Sequence, residues 1–295
     1  MIKKIVVIAV ILLLITGCSA APRPNQIIPE KIVSRVELSF KNLPHLKEQV
    51  YQAWAIINNK PKSIGRFNIK KSQVVDEYDK KIKEFPLDYD AREATKVVVS
   101  IEEKASNPDN PSDIKILSGE TWEGKSFLIF SELITYAYGS YYLDTPTDLS
   151  QRYQYSGIWF LNFGGGHRVA GLNLPDMPSG WKAEAWIVSK GEVISIGKIK
   201  DPNKPMTNPK YNGKGNCYGF PGQDFINNAP DGFDFPLDLR GATVMVTIEP
   251  EPDNSKEPFF LKLLVGNIPK DAKPRTAHMM KNNCNSMPNG TFEVR

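Results

Sequence analysis

The chain has 295 residues, 41% hydrophobic and 24% charged, with a formal net charge of +4 at pH 7. So small an excess excludes the dense basic surface that bulk nucleic-acid binding needs. The length suits one large domain or two ordinary ones.

From the N-terminus, Lys3 and Lys4 precede an apolar run from Ile5 to Ile15, followed by Thr16-Gly17-Cys18. A basic start, a short apolar stretch and a small-residue stop predict a secretory signal over 1–17. The apolar run is too short to cross a bilayer as a mature helix. Loss of 1–17 takes Lys3 and Lys4 with it, which lowers the charge further. Residues 18–32, with Pro22, Pro24 and Pro29, read as an extended tether.

Strands follow. Val36 to Phe40 and Lys96 to Ile101 alternate with period two. Tyr51, Ala53 and Ala55 share one strand face; Val50, Gln52, Trp54 and Ile56 share the other. Ser72 to Phe85 reads either as a short helix with a Ser72 N-cap or as a charged loop.

The same order of motifs then returns. Asn42-Leu43-Pro44, Trp54 and Gly65 recur as Asn173-Leu174-Pro175, Trp186 and Gly197, with equal spacing from Trp to Gly. Ala94-Thr95 and Val99-Ser100-Ile101-Glu102 recur as Ala242-Thr243 and Val246-Thr247-Ile248-Glu249. Pro108-Asp109-Asn110 returns as Pro252-Asp253-Asn254. Ordered recurrence predicts a tandem duplication of one folding unit. With many short strands, 23 prolines and 21 glycines, the expected fold is all-β: two tandem immunoglobulin-like β-sandwich domains. The first spans 33–143, a polar linker 144–154, and the second 155–295.

Trp54, Gly65, Trp186 and Gly197 form the repeated core. A glycine inside a strand marks a bulge or a close approach under a ring, for which Trp54 and Trp186 are the natural candidates. Glu102 and Glu249 read as solvent-facing strand ends. Gly164-Gly165-Gly166 reads as a hairpin turn. The second copy is longer: Gly65 to Arg92 spans 27 positions and Gly197 to Arg240 spans 43. The excess lies in 201–234, a Gly- and Pro-rich stretch that contains Cys217. Loops of this length are functional or pinned. Outside the cytoplasm Cys217 and Cys284 make an even pair, and a disulfide between them would pin this one; two free thiols are the alternative.

No His-Glu-x-x-His, phosphate loop or Gly-x-Ser-x-Gly is present. His278, Met279, Met280, Cys284 and Met287 form a soft-ligand cluster of the kind copper(I) takes, and Asp231, Asp234 and Asp238 a sparse acidic one. Neither outweighs an apolar or disulfide role, so no metal, cofactor or catalytic residue is expected. Tyr136, Tyr138, Tyr141, Tyr142, Tyr153 and Tyr155 crowd the junction of the copies, either as a contact surface or as packing of the seam.

Two resemblances add to this reading. Ile15-Thr16-Gly17-Cys18 resembles a bacterial lipobox, which implies a lipid on Cys18, fatty acylation such as palmitate, and anchorage in the cell envelope. Ser19 after the cysteine implies the outer membrane in a cell with two. The repeat resembles the extracytoplasmic C-terminal domain of anti-sigma-K factors, through Val50-Tyr51-Gln52-Ala53-Trp54, Ser63-Ile64-Gly65-Arg66-Phe67 and Val99-Ser100-Ile101-Glu102. The second copy shares Ala185-Trp186, Ser195-Ile196-Gly197 and Val246-Thr247-Ile248-Glu249-Pro250. The signal at 1–17 stands where such a factor carries its sigma-binding domain and membrane helix. The resemblance therefore implies a fold and a binding or sensing role with an envelope protein partner, not sigma-factor control. An envelope carbohydrate- or metal-handling protein is the alternative.

Overall fold

The computed structural model describes residues 31–206, 211–212, 218–226, 228–253 and 255–295. Cys18 and Cys217 lie outside them. The alternation read from the sequence becomes strands throughout; three 3₁₀ turns and no α-helix occur among the described residues.

The first half contributes β1 (Ser34–Lys41), β2 (Gln49–Ile57), β3 (Lys60–Lys70), β4 (Gln73–Val75), β5 (Phe85–Leu87), β6 (Lys96–Glu103), β7 (Lys115–Glu120), β8 (Lys125–Ile129) and β9 (Tyr138–Leu143). The second contributes β10 (Ile158–Trp159), β11 (Leu161–Gly164), β12 (His167–Ala170), β13 (Leu172–Asn173), β14 (Trp181–Ser189), β15 (Glu192–Ile199), β16 (Gly222–Gln223), β17 (Thr243–Pro250), β18 (Lys262–Asn267), β19 (Ala277–Asn282) and β20 (Asn289–Val294). Ser72 to Phe85 is not helical: Asn68 to Lys70 pairs back onto Gln73 to Val75, a hairpin through Lys71 and Ser72 at positive φ.

The strands make two large antiparallel sheets, ordered β4-β3-β2-β6-β7-β8-β20-β1-β5 and β15-β14-β17-β18-β19-β9-β10-β16. The first curls back on itself, because β1 lies against β4 and β5 against β3. The result is all-β and sandwich-like.

From β3 and β15 onward the two orders match position by position, with one exchange; β4 has no counterpart in the second sheet. β9, the last strand of the first copy, lies between β19 and β10 of the second. β20, the last strand of the second, lies between β8 and β1 of the first. Each follows a 3₁₀ turn, Glu132–Tyr136 before β9 and Cys284–Ser286 before β20. The copies expected over 33–143 and 155–295 thus trade their last strands, and each completes the other's sheet. Ile32 to Arg295 is accordingly one compact unit, and one buried apolar cluster runs from Val36 to Phe292. The copies also meet directly, where the Trp181 indole N–H donates to Lys115 O at 3.2 Å and the ring packs edge-on against Phe130.

The repeated core is duplicated down to its irregularities. Strand register shifts at Ala53/Trp54 and at Ala185/Trp186, opposite Gly65 and Gly197. These are the bulges the glycines predicted. The ring over Gly65, however, belongs to Phe85, into which a Cβ would run at 2.5 Å; at Gly197 the neighbour is the Met206 sulfur at 3.1 Å. Trp54 cannot fill that place, because period-two alternation puts it on the face opposite Ala53, the residue that pairs with Gly65.

Trp54 and Trp186 are nonetheless fully buried. Each indole N–H donates at 2.8 Å to a strand hydroxyl, Ser100 Oγ and Thr247 Oγ1. Those hydroxyls donate in turn to Glu102 and Glu249. The carboxylates also accept backbone N–H groups of Ser112 at 2.8 Å and Phe259 at 2.9 Å. Glu102 and Glu249 are therefore buried acceptors, not solvent-facing strand ends. Each ties a strand end to the loop beyond it, which satisfies N–H groups that burial would otherwise strand.

The register also corrects one likeness and reveals another. Trp54 faces Val98 and Trp186 faces Met245, so Lys96, not Thr95, occupies the place of Thr243. The Ala-Thr likeness is thus one residue out of step. Ser34 and Ser156, unremarkable in sequence, do correspond: both are buried, and Ala91 N and Leu237 N donate to their hydroxyls.

Candidate functional site

The copies differ in two insertions, and these meet. The strand that runs unbroken through β1 in the first copy is interrupted after β10 by the β11–β12 hairpin, turning at Gly165 and Gly166 with φ of 58° and 81°. The second insertion lies between β15 and β17 and carries Tyr218 and Phe220. Together they build a small apolar cluster separate from the main core, formed by Tyr142, Trp159 and Leu161 with Tyr218, Phe220 and Ala277 packed against it.

Asp144 lies at the base of this cluster with no exposed surface. Thr145 N donates to its Oδ1 at 2.9 Å; Arg275 Nε donates to Oδ2 at 2.9 Å, and the Tyr218 hydroxyl donates to the same oxygen. The Trp159 indole donates to Asp144 O at 3.0 Å. Burial, and then the Asp144 carboxylate, push the Tyr218 hydroxyl far above its ordinary pKa, so it stays a donor. Its bond to Asp144 raises Arg275 likewise. Arg168, from the hairpin, stacks over the Tyr218 ring at 4.4 Å. Phe163, half exposed, leans on Tyr142 with ring centroids 5.6 Å apart.

The sequence pattern puts Asp144 in a polar linker and marks neither Arg168 nor Arg275. The signals available were the aromatic crowding and the long insertion; which aromatics met which arginines depends on the fold. The linker itself is held, with Thr147 N donating to buried Asp224 at 3.1 Å. Tyr141 and Tyr142 pack inside, Tyr155 lies under Arg240 at 3.8 Å, and Tyr136, Tyr138 and Tyr153 are exposed, so the tyrosine group divides between packing and surface.

The other sequence candidates are not brought together. Met279 is exposed and Met280 buried, because neighbours on a strand face opposite ways. Met287 is buried, and His278 stacks on Tyr141. No cluster of three or more His, Cys, Asp or Glu suited to a metal exists among the described residues. Asp238 is taken by Arg240. Cys284 is a free thiol. Its expected partner Cys217 is outside the described residues. Asn42-Leu43-Pro44 lines a cleft of 610 Å³ and Asn173-Leu174 one of 650 Å³, in which Lys70 pairs with Asp79 and Lys204 with Asp201. Trp54, Gly65, Trp186 and Gly197 belong to the scaffold.

No family model, curated protein or solved structure matches the chain.

Proposed function

We propose that the protein is a non-enzymatic binding or sensing module of the bacterial cell envelope, anchored through a lipid on Cys18. Its partner is an envelope protein, received at the second repeat where the hairpin and the long insertion meet. On this reading each repeat, completed by the last strand of the other, is an immunoglobulin-like sandwich that resembles the extracytoplasmic domain of anti-sigma-K factors, without a sigma-binding part. The observation that carries it is the convergence of the two insertions on one rigid centre. A duplicated scaffold elaborated in one copy only, at loops fixed by a buried carboxylate, is built as binding surfaces are. Exposed Phe163, Arg168 and the Tyr218 ring supply the aromatic and arginine character typical of interface anchors.

A photoreactive residue at Phe163 tests this in intact cells. It is expected to give a discrete protein adduct, while the same probe at Trp122, an exposed aromatic of the first repeat, gives none. No adduct at Phe163, or the same adduct from both, contradicts the reading. The anchor is tested separately: Cys18→Ser is expected to abolish labelling by a fatty-acid analogue, and unchanged labelling would exclude it.

A further inference from the structure

The centre has a charge imbalance directed at solvent. Arg168 lies over the Tyr218 ring, and Arg275 shares Asp144 Oδ2 with the Tyr218 hydroxyl, so both guanidinium groups sit beside Tyr218. One carboxylate, Asp144, serves them, and it is buried with both oxygens already bonded. Asp224, the next buried carboxylate, is turned to Thr147. Asp144 holds only Nε of Arg275, whose side chain is 48% exposed, which leaves the outer edge of its fork toward solvent. Arg168 is exposed and, among the described residues, has no hydrogen-bond or ion-pair acceptor; its contact is the Tyr218 face. Stacking fixes the plane of a guanidinium and leaves its N–H edges open, the geometry that receives a carboxylate.

We propose that Arg168 and Arg275 together receive an Asp or Glu carboxylate of the protein partner, with Phe163 seating an apolar neighbour of that residue. The proposal rests on the binding reading above and names the chemistry recognised. Asp144 and Tyr218 are positioning residues: they hold Arg275 and Arg168 in place and do not touch the ligand. The first repeat lacks the device. There Arg295, the residue after β20 as Asp144 is the residue after β9, is consumed by Glu37 and Glu293 on the surface.

The test is a titration of the intact protein with a blocked pentapeptide carrying two glutamates around a leucine. Its double-glutamine counterpart and a glucuronate disaccharide are run in parallel, and the arginine Nε–Hε resonances are followed by NMR. The glutamate peptide is expected to shift Arg168 and Arg275 in a salt-dependent manner, and the glutamine peptide to leave them in place. Arg168→Gln, which breaks no hydrogen bond or ion pair and gives up only the contact with the Tyr218 ring, is expected to weaken the glutamate peptide by about tenfold, the loss of one charged hydrogen-bonding partner, with little change in melting. Equal shifts from both peptides, or none from either, overturn the proposal. Tighter binding of the disaccharide also overturns it and makes an acidic saccharide the ligand. A Phe163 adduct that persists when the glutamate peptide fails leaves the binding reading standing and removes only this inference; loss of both removes both.

Discussion

The two repeats share a scaffold and differ at one end, and the difference separates what the fold requires from what it carries. Both copies keep the bulge at Trp and Gly and the relay from indole to hydroxyl to carboxylate. Both also fix the Asp-x-Arg turn in the same way, with Arg92 N and Arg240 N donating at 3.0 Å to Asp90 and Asp238. Only the second adds a hairpin, a long insertion and a buried aspartate beneath tyrosine and arginine. Features present twice hold the sheets together; the feature present once is where we propose that a partner is received.

The largest expected effects test whether the shared parts act as one body. Trp54→Ala and Trp186→Ala should each cost about 3–5 kcal/mol. Because each copy completes the other's sheet, both should lower a single calorimetric transition. Two separable transitions, each moved by one substitution only, would mean the copies stand alone.

A smaller effect should tell the two bulges apart. Gly65 and Gly197 both have φ in the left-handed region, 155° and 130°, so alanine is strained at either. At Gly65 its methyl would meet the Phe85 ring, which is wedged among Phe67 and its neighbours; at Gly197 it would meet the movable end of Met206. Overpacking of this kind costs about 1–3 kcal/mol. Gly65→Ala should fall at the upper end and Gly197→Ala at the lower, as read by denaturant midpoints. Equal losses would show that backbone strain alone decides.

How much of this was legible follows the same division. The duplication, the Trp and Gly spacing and the strand periodicity lie in local sequence, so the all-β class and the bulges could be read directly. The exchange of β9 and β20 could not be, because either placement satisfies the same alternating pattern and only long-range pairing chooses. Glu102 and Glu249 were misread because a carboxylate at a strand end ordinarily faces water; here a hydroxyl two residues earlier and a returning backbone N–H accompany it inward. Asp144 was hidden for the same reason. Its partners Tyr218 and Arg275 are 74 and 131 residues away.

The smallest effect concerns charge. Gln52 donates to Ser63 in the first copy; in the second the corresponding Glu184 accepts from Ser195. Burial raises the Glu184 pKa above its ordinary 4.5. The folded state therefore binds that proton more tightly than the unfolded chain does. Its contribution is fully present below the unfolded pKa and is lost as pH rises through the folded one. Glu184→Gln should raise the melting temperature at pH 7 and change it little at pH 4, while Gln52→Glu should do the reverse in the first copy. A Glu184→Gln gain that is the same at both pH values would show that the group carries no such linkage.

The exchange of last strands is the central claim, and a pair of engineered disulfides tests it directly. Ser39 pairs with Thr291 across β1 and β20, their hydroxyls 3.0 Å apart. Ser140 on β9 occupies the place in the second sheet that Thr291 occupies in the first, and it pairs with Met279. With Cys18, Cys217 and Cys284 replaced by serine, Ser39→Cys with Thr291→Cys should oxidise readily and leave the fold intact, whereas Ser39→Cys with Ser140→Cys should stay reduced. A bridge in the second pair and none in the first would place β9 beside β1 and contradict the account.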